Sequence, residues 1–308
     1  MSLAVVTDSS SCLPTDLARA HGIGVVPLHA TAGDAHQPGS TSRPSLDELA
    51  HAYASAAERA DEVLALHLAA SLSGTVDAAV HAADSINTAL GRRVVTVLDS
   101  GTTGGALGQA AIRAASATTA DHGAERAREF ISRSTVLFLV DDLTHLRHGG
   151  RLDRRTALLG GALGVRPILR VTAEGIRPVE AVRGAKRARA RLAELAASLA
   201  SQGTGAGGQV TLIIHADDGA AGQGLIAAIA QGARGAEDTV TEAEGQSESE
   251  GQAPARAVER AERADELEEP GCCWPFDPAL AVHVGPGALG CVIISPGGRG
   301  TTGPATRT

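Results

Sequence analysis

Apolar residues recur along this chain in two alternating rhythms. Short apolar runs at 3–7, 23–28, 63–69, 93–98 and 135–140 have the length of buried strands. Between them, apolar residues return at helical spacing, as in Val76, Ala79, Val80, Ala83 and Ile86. This predicts helices at about 14–21, 45–59, 75–90, 105–120 and 124–132. Pro14 stands at a first helical position, and Ser45-Leu46-Asp47-Glu48 reads as a capping box. Such alternation implies α/β layers around a mainly parallel sheet, with ligands expected at the carboxyl ends of the strands.

The second half has another texture. After a short helix at 142–146 and a turn through His148-Gly149-Gly150-Arg151-Leu152, runs at 166–171 and 176–182 flank Ala173-Glu174-Gly175, a hairpin signal. A basic helix at 185–201, a strand at 209–215 and a helix at 222–231 follow. Residues of about 235–278 are Glu-, Ser- and Gly-rich and predict a disordered or weakly helical acidic insertion. Order resumes at 280–287, with His283 read at a strand end, then a last strand at 291–295 and a loose tail from 297. The fold expected is a two-domain α/β protein. Residues 1–145 carry the parallel sheet with flanking helices, and 146–308 a mixed, partly antiparallel sheet.

The strand ends bring in the chemistry. Thr7-Asp8-Ser9-Ser10, Ser71–Thr75 and Asp99-Ser100-Gly101-Thr102 are hydroxyl-rich turns, and Ser40-Thr41-Ser42 is a fourth cluster in the loop at 36–42. Ends of neighbouring parallel strands share one edge, so these turns can converge. The 63–79 stretch is a strand, a tight turn and a helix start, where free N–H groups and small hydroxyls favour a carboxylate or phosphate. Capping by Ser73 or Thr75 is the plainer alternative.

Composition narrows the classes. At 308 residues and 43% hydrophobic, the chain has enough length for two domains with substantial cores. No run approaches a membrane span and the N-terminus reads as a strand, so no stable membrane insertion and a cytoplasmic location are expected. Aromatics at 2% and a net charge of −8 argue against nucleic acid as a partner, and leave aliphatic side chains to line any pocket. The four cysteines (Cys12, Cys272, Cys273 and Cys291) have no metal-ligand spacing and no cluster with histidine, so neither a zinc site nor a disulfide framework is indicated; no metal or cofactor is expected. Charge is segregated. Residues 147–191 hold 12 Lys+Arg against 3 Asp+Glu, and 237–269 hold 12 Asp+Glu against 3 Arg.

The ordered set Thr7-Asp8-Ser9-Ser10, Thr41-Ser42-x-Pro44-Ser45, Leu72-Ser73-Gly74-Thr75, Asp99-Ser100, Gly149-Gly150-Arg151, Arg166–Leu169, Val182-Arg183-Gly184 and His283-x-Gly285-Pro286-Gly287 resembles the DegV family of bacterial proteins. That resemblance implies a non-catalytic carrier that holds a long-chain fatty acid between two domains, while a separate fatty acid kinase subunit phosphorylates the acid's carboxylate. It further implies that Thr41, Ser73, Gly74 and His283 hold the carboxylate, and that the turns of Ser9, Ser10, Thr75 and Ser100 support the head group. Arg151 and Arg183 would face the kinase.

The physics fits. A carboxylate only accepts hydrogen bonds, so neutral hydroxyls, turn amides and an imidazole N–H would grip it and leave an oxygen open to a phosphoryl group. About 14 buried methylenes at ~0.8 kcal/mol each contribute roughly 11 kcal/mol before ordering costs, more than the head group. Leu158, Leu159, Leu163, Val165 and Ile168 are candidate walls.

Two departures from the family pattern stand out: a short 28–41 segment, and Arg43 where glutamine is common. The acidic insertion is a third; it would mask the basic face or be tolerated surface. Two rival readings remain at this point. One is a serine hydrolase with Ser73 or Ser9 as nucleophile, His283 as base and Asp8 or Asp99 orienting it, though no Gly-x-Ser-x-Gly surrounds either serine. The other is a phosphate or nucleotide binder, without a Walker or dinucleotide loop.

Overall fold

In the computed structural model, residues 2–31, 33, 39–141, 143–152, 164–204, 210–244 and 271–295 are described. The first sheet takes its strands from the chain's opening third. β1 (Leu3–Asp8) and β2 (Gly24–Val26) are followed by a small hairpin of β3 (His29–Thr31) and β4 (Ser40–Ser42), then β5 (Glu62–His67) and β6 (Val95–Asp99). The order β2-β1-β5-β6 is parallel throughout, as the strand–helix alternation requires. Helix α1 (Thr15–Ala20) starts one residue after Pro14, which stands outside it as the cap. The predicted capping box is present at α2 (Leu46–Ala57): Ser45 Oγ accepts from Glu48 N while the Glu48 carboxylate accepts from Ser45 N. α3 (Thr75–Leu90) buries Ala78, Ala79, Ala82 and Ala83 on one stripe against this sheet.

The helix expected at 105–120 ends early. α4 (Gly105–Ala115) and α5 (Ala120–Ser132) are separate because Thr119 caps the second, its hydroxyl accepting from His122 N. The pair carries the chain to β7 (Ser134–Leu139), which belongs to the second sheet, so the chain changes sheets before residue 145. After α6 (Thr144–His148), the predicted hairpin forms as β8 (Val165–Thr172) and β9 (Gly175–Arg183). α7 (Ala185–Thr204), β10 (Thr211–Ala216), α8 (Gly219–Glu244), β11 (Cys272–Trp274), α9 (Pro278–Val284) and β12 (Leu289–Ile294) complete the chain. The second sheet runs β11-β10-β12-β7-β8-β9 and is antiparallel except between β10 and β11.

Of the expected 235–278 insertion, residues 235–244 continue α8 and 272–274 are a strand. Trp274 is buried, and burial of that apolar run draws its flank into the sheet. Residues 245–270 lie outside the described residues, as do Leu158, Leu159 and Leu163.

The layers stack as α2/α3, first sheet, α4/α5, second sheet, α7/α8. α4 is wedged between the sheets and is mostly Gly and Ala, and at its glycines nothing larger fits. A β-carbon on Gly108 would lie 2.8 Å from Ser11 O, and one on Gly105 2.8 Å from Ile213. Strand alternation divides β7 cleanly. Leu137 and Leu139 pack under α7, whereas Val136 and Phe138 face the first half of the molecule. No helix among the described residues is long and apolar enough to cross a membrane.

Candidate functional site

Where the inner face of the second sheet meets the loops of the first, a cavity opens with about 880 Å³ of space between its walls, part of it continuous with solvent. Its walls are chiefly aliphatic: Leu28, Leu68 and Leu72 from the first half, Val136, Val171 and Ile176 from the second, with Phe138 and Phe276 as the aromatic members. Val165 and Ile168, the wall residues expected from sequence, do not line it. Ile168 pairs with Leu139 and shares its outer face under α7, whereas Leu169 and Val171 share the inner one.

Thr41, Ser73, His283 and Arg151 come from four distant segments and all line this cavity. Thr41 is in a hairpin strand rather than a loop, and His283 is in the last turn of α9 rather than at a strand end. Thr41 Oγ1 and His283 Nε2 are 2.9 Å apart. The helix ends at Gly285, whose φ of +75° suits glycine and whose N–H bonds Ala281 O. Gly149 gives the imidazole its room, since a β-carbon there would overlap the His283 ring.

Burial first, and the nearby Arg151 charge second, hold the His283 pKa down at about 4, so the ring is neutral at pH 7. Its Nδ1 is buried without a partner among the described residues. An orphaned lone pair costs less than an orphaned N–H, so we assign the proton to Nε2. Nε2–H then donates to Thr41 Oγ1, and the hydroxyl proton of Thr41 is left free to reach a ligand oxygen. Ser73 Oγ lies 2.8 Å from Thr75 Oγ1 at the start of α3.

The other predicted head-group residues hold the loops rather than line the cavity. Ser10 donates its N–H and hydroxyl to Asp8, and its carbonyl accepts from Gly104 N, which does line the cavity. Ser9 Oγ accepts from Leu28 N at 2.9 Å, Ser100 Oγ braces Thr102, and Thr75 is fully buried. Gly74 caps α3 behind Ser73. Arg183 is exposed on β9, away from the cavity lining.

For the hydrolase reading, the partners are wrong. Ser73 is bonded to Thr75, His283 to Thr41, and the Asp8 carboxylate to a different histidine, His67, whose Nε2 meets Tyr53 OH at 2.7 Å in a fully buried chain. The arrangement of that chain, His215 and the placing of Arg43 in the lining escaped the sequence reading. His215 lines the cavity, but both nitrogens are used: Nε2 accepts from Gly105 N at 2.8 Å, so Nδ1–H donates to Trp274 O at 3.2 Å. Arg43 also lines the cavity, so with Arg151 the donor set is not neutral as expected. A lone arginine before a proline carries no periodic signal, and a strand histidine gives no sign of what it faces. No group of three or more potential metal ligands occurs among the described residues.

Fold and site together define an α/β protein with an apolar-walled, polar-ended ligand cavity between two sheets. The family model for DegV, described as an uncharacterised protein family, matches residues 35–244. A DegV domain-containing protein of Streptomyces coelicolor is 37% identical over 237 residues, covering 69% of this chain and 81% of that protein. One from Mycobacterium bovis is 30% identical over 96% of this chain and 98% of its own. The chain belongs to the DegV family. Among solved structures, a DegV protein of Corynebacterium glutamicum superposes with TM-score 0.75 at 28% identity, covering 97% of this chain and 99% of that one. A Thermus thermophilus DegV protein described for its fatty acid binding does so with TM-score 0.72 at 25% identity over 96% and 100%.

Proposed function

We propose that this protein holds a long-chain fatty acid in the cavity, acyl chain along the aliphatic walls and carboxylate at the Thr41–Ser73–His283 end, and presents that carboxylate to a separate kinase subunit. The observation that carries the reading is the Thr41–His283 contact, which joins segments 242 residues apart at the one polar end with hydrogen-bonding capacity to spare. Elsewhere in the lining, His215 is already saturated. Fatty acid binding by the Thermus thermophilus relative supports the ligand class. Organic extraction of the purified protein followed by mass spectrometry tests it: a fatty acid near one per chain is expected, and bound nucleotide or none would overturn the reading.

Presentation to a kinase rests on the basic surface. Arg183, Lys186, Arg187 and Arg189 are exposed where β9 passes into α7. Cations in the first turns of a helix oppose its dipole at about 0.3–1 kcal/mol each, and the first turn of α7 has no acidic residue to offset them. Helix stability therefore does not account for their placement, whereas contact with an acidic partner or a phosphate would. Arg183→Glu is expected to abolish phosphorylation by the partner kinase and to spare fatty acid binding; loss of both would contradict the docking role.

A further inference from the structure

We infer that Arg43 meets the ligand's carboxylate as an ion pair, which makes head-group charge the property this cavity selects. The inference rests on the fatty acid reading above and deepens it. Two guanidinium groups line the cavity, and they are in different situations. Arg151 is already committed: its Nε donates to Leu72 O at 3.0 Å and its Nη1 to Gly149 O, so it braces the loops around His283. Arg43 is exposed and makes no hydrogen bond or ion pair with a described residue.

Arg43 is nevertheless placed. It follows Thr41 by two residues, the spacing that puts side chains on one side of an extended chain, and the buried Pro44 stiffens the backbone behind it. Its Nη1 lies over Gly74, where a β-carbon would come within 2.7 Å of it. Gly74 has φ −73°, open to any residue, so what glycine supplies there is space for the guanidinium. Gly74 is also next to Ser73, whose hydroxyl lines the cavity. The Arg43 fork thus stands beside both Thr41 and Ser73.

The chemistry follows. Hydroxyl and imidazole donors already bind a charged carboxylate oxygen more strongly than the oxygen of an alcohol or ester. A planar cation with several N–H groups favours the carboxylate over all of these. Neutral donors give a preference for the acid, and Arg43 widens it by adding a full positive charge beside them.

The test is to titrate the delipidated full chain, as wild type, Arg43→Gln and Gly74→Ala, with palmitate and with hexadecanol at low and high salt. Arg43→Gln is expected to lose about tenfold in palmitate affinity, the lower end for a hydrogen bond to a charged group at an exposed site, with hexadecanol affinity unchanged. Gly74→Ala, which displaces the guanidinium, is expected to copy that loss. High salt should erode the acid preference of the wild type more than that of Arg43→Gln, which keeps the Arg151 charge. Equal palmitate affinity in Arg43→Gln and wild type overturns the inference, as does an equal loss for both ligands. A wild type that binds neither ligand overturns the fatty acid reading itself.

Discussion

Thr41 matters through one hydrogen atom. With the His283 ring neutral and its Nε2–H pointing at Thr41 Oγ1, the hydroxyl hydrogen of Thr41 is left to donate into the cavity. Thr41→Val is expected to weaken fatty acid binding by about 10- to 100-fold, the value of a hydrogen bond to a charged group, and Thr41→Ser to retain most of it; calorimetric titration of the two variants decides. His215 makes a different prediction. Burial holds its pKa at about 4 in the folded protein, against about 6.5 unfolded. Below pH 6.5 the unfolded chain takes up a proton that the folded one refuses. Its stabilising contribution is therefore complete above about pH 6.5 and is lost as pH falls toward 4, by about 3 kcal/mol. Urea unfolding across that window should show the slope, and His215→Gln should remove the His215 share of it and leave that of His283, which burial also holds at about 4. The family resemblance pointed to the Thr41 hydroxyl, but neither its contact with His283 nor the part played by His215 was legible in the sequence. Ser73 was visible because strand, turn and helix start leave a local signature, and His283 only through the family motif that Gly285-Pro286-Gly287 completes. What His283 touches is set by Gly149 and Thr41, which no local pattern ties to it.

At the scale of elements, most strands and helices of the first half were read nearly to their ends because each carries its own period. The β3–β4 hairpin, the full length of α8, β11 and α9 were missed, and the assignment of strands to sheets was not legible. The run at 135–140 alternates with helices like its predecessors, yet β7 pairs with β8 and β12. Pairing partners are a property of the whole chain, and periodicity is silent about them. Parity failed for a related reason. Both faces of β7 and β8 are apolar, so Ile168 and Leu169 look alike until the layers are known. This asymmetry is testable. Leu137→Ala, under α7, is expected to cost about 2–5 kcal/mol of stability and to leave the range of acyl chain lengths unchanged. Val136→Phe, one residue away on the cavity face, is expected to shift binding toward shorter acids. Chemical denaturation and a chain-length series on the two variants would expose any exchange of these roles.

For the molecule as a whole, the cavity is a seam. Leu28, Thr41, Leu68 and Ser73 reach it from the first half of the chain, and Val136, Phe138, Val171 and His283 from the second, so an occupant touches both sheets at once. Elsewhere the seam is closed by α4, whose small residues admit little adjustment. An apolar-walled space of this size, if emptied, leaves its lining without van der Waals partners on one side. Bound acid should therefore stabilise the two halves together. A ligand at 100 times its Kd raises the unfolding free energy by about 2.7 kcal/mol when only the folded state binds it. The delipidated protein is thus expected to melt at a lower temperature. Added fatty acid should restore the melting point in a concentration-dependent way and keep both halves in one transition. Thermal melts followed separately by the signal of Trp274 in the second sheet and of Tyr53 over the first would show this. If fatty acid moved one signal and not the other, the ligand would be resting on one sheet, and a site shared between Thr41 and His283 would have to be given up.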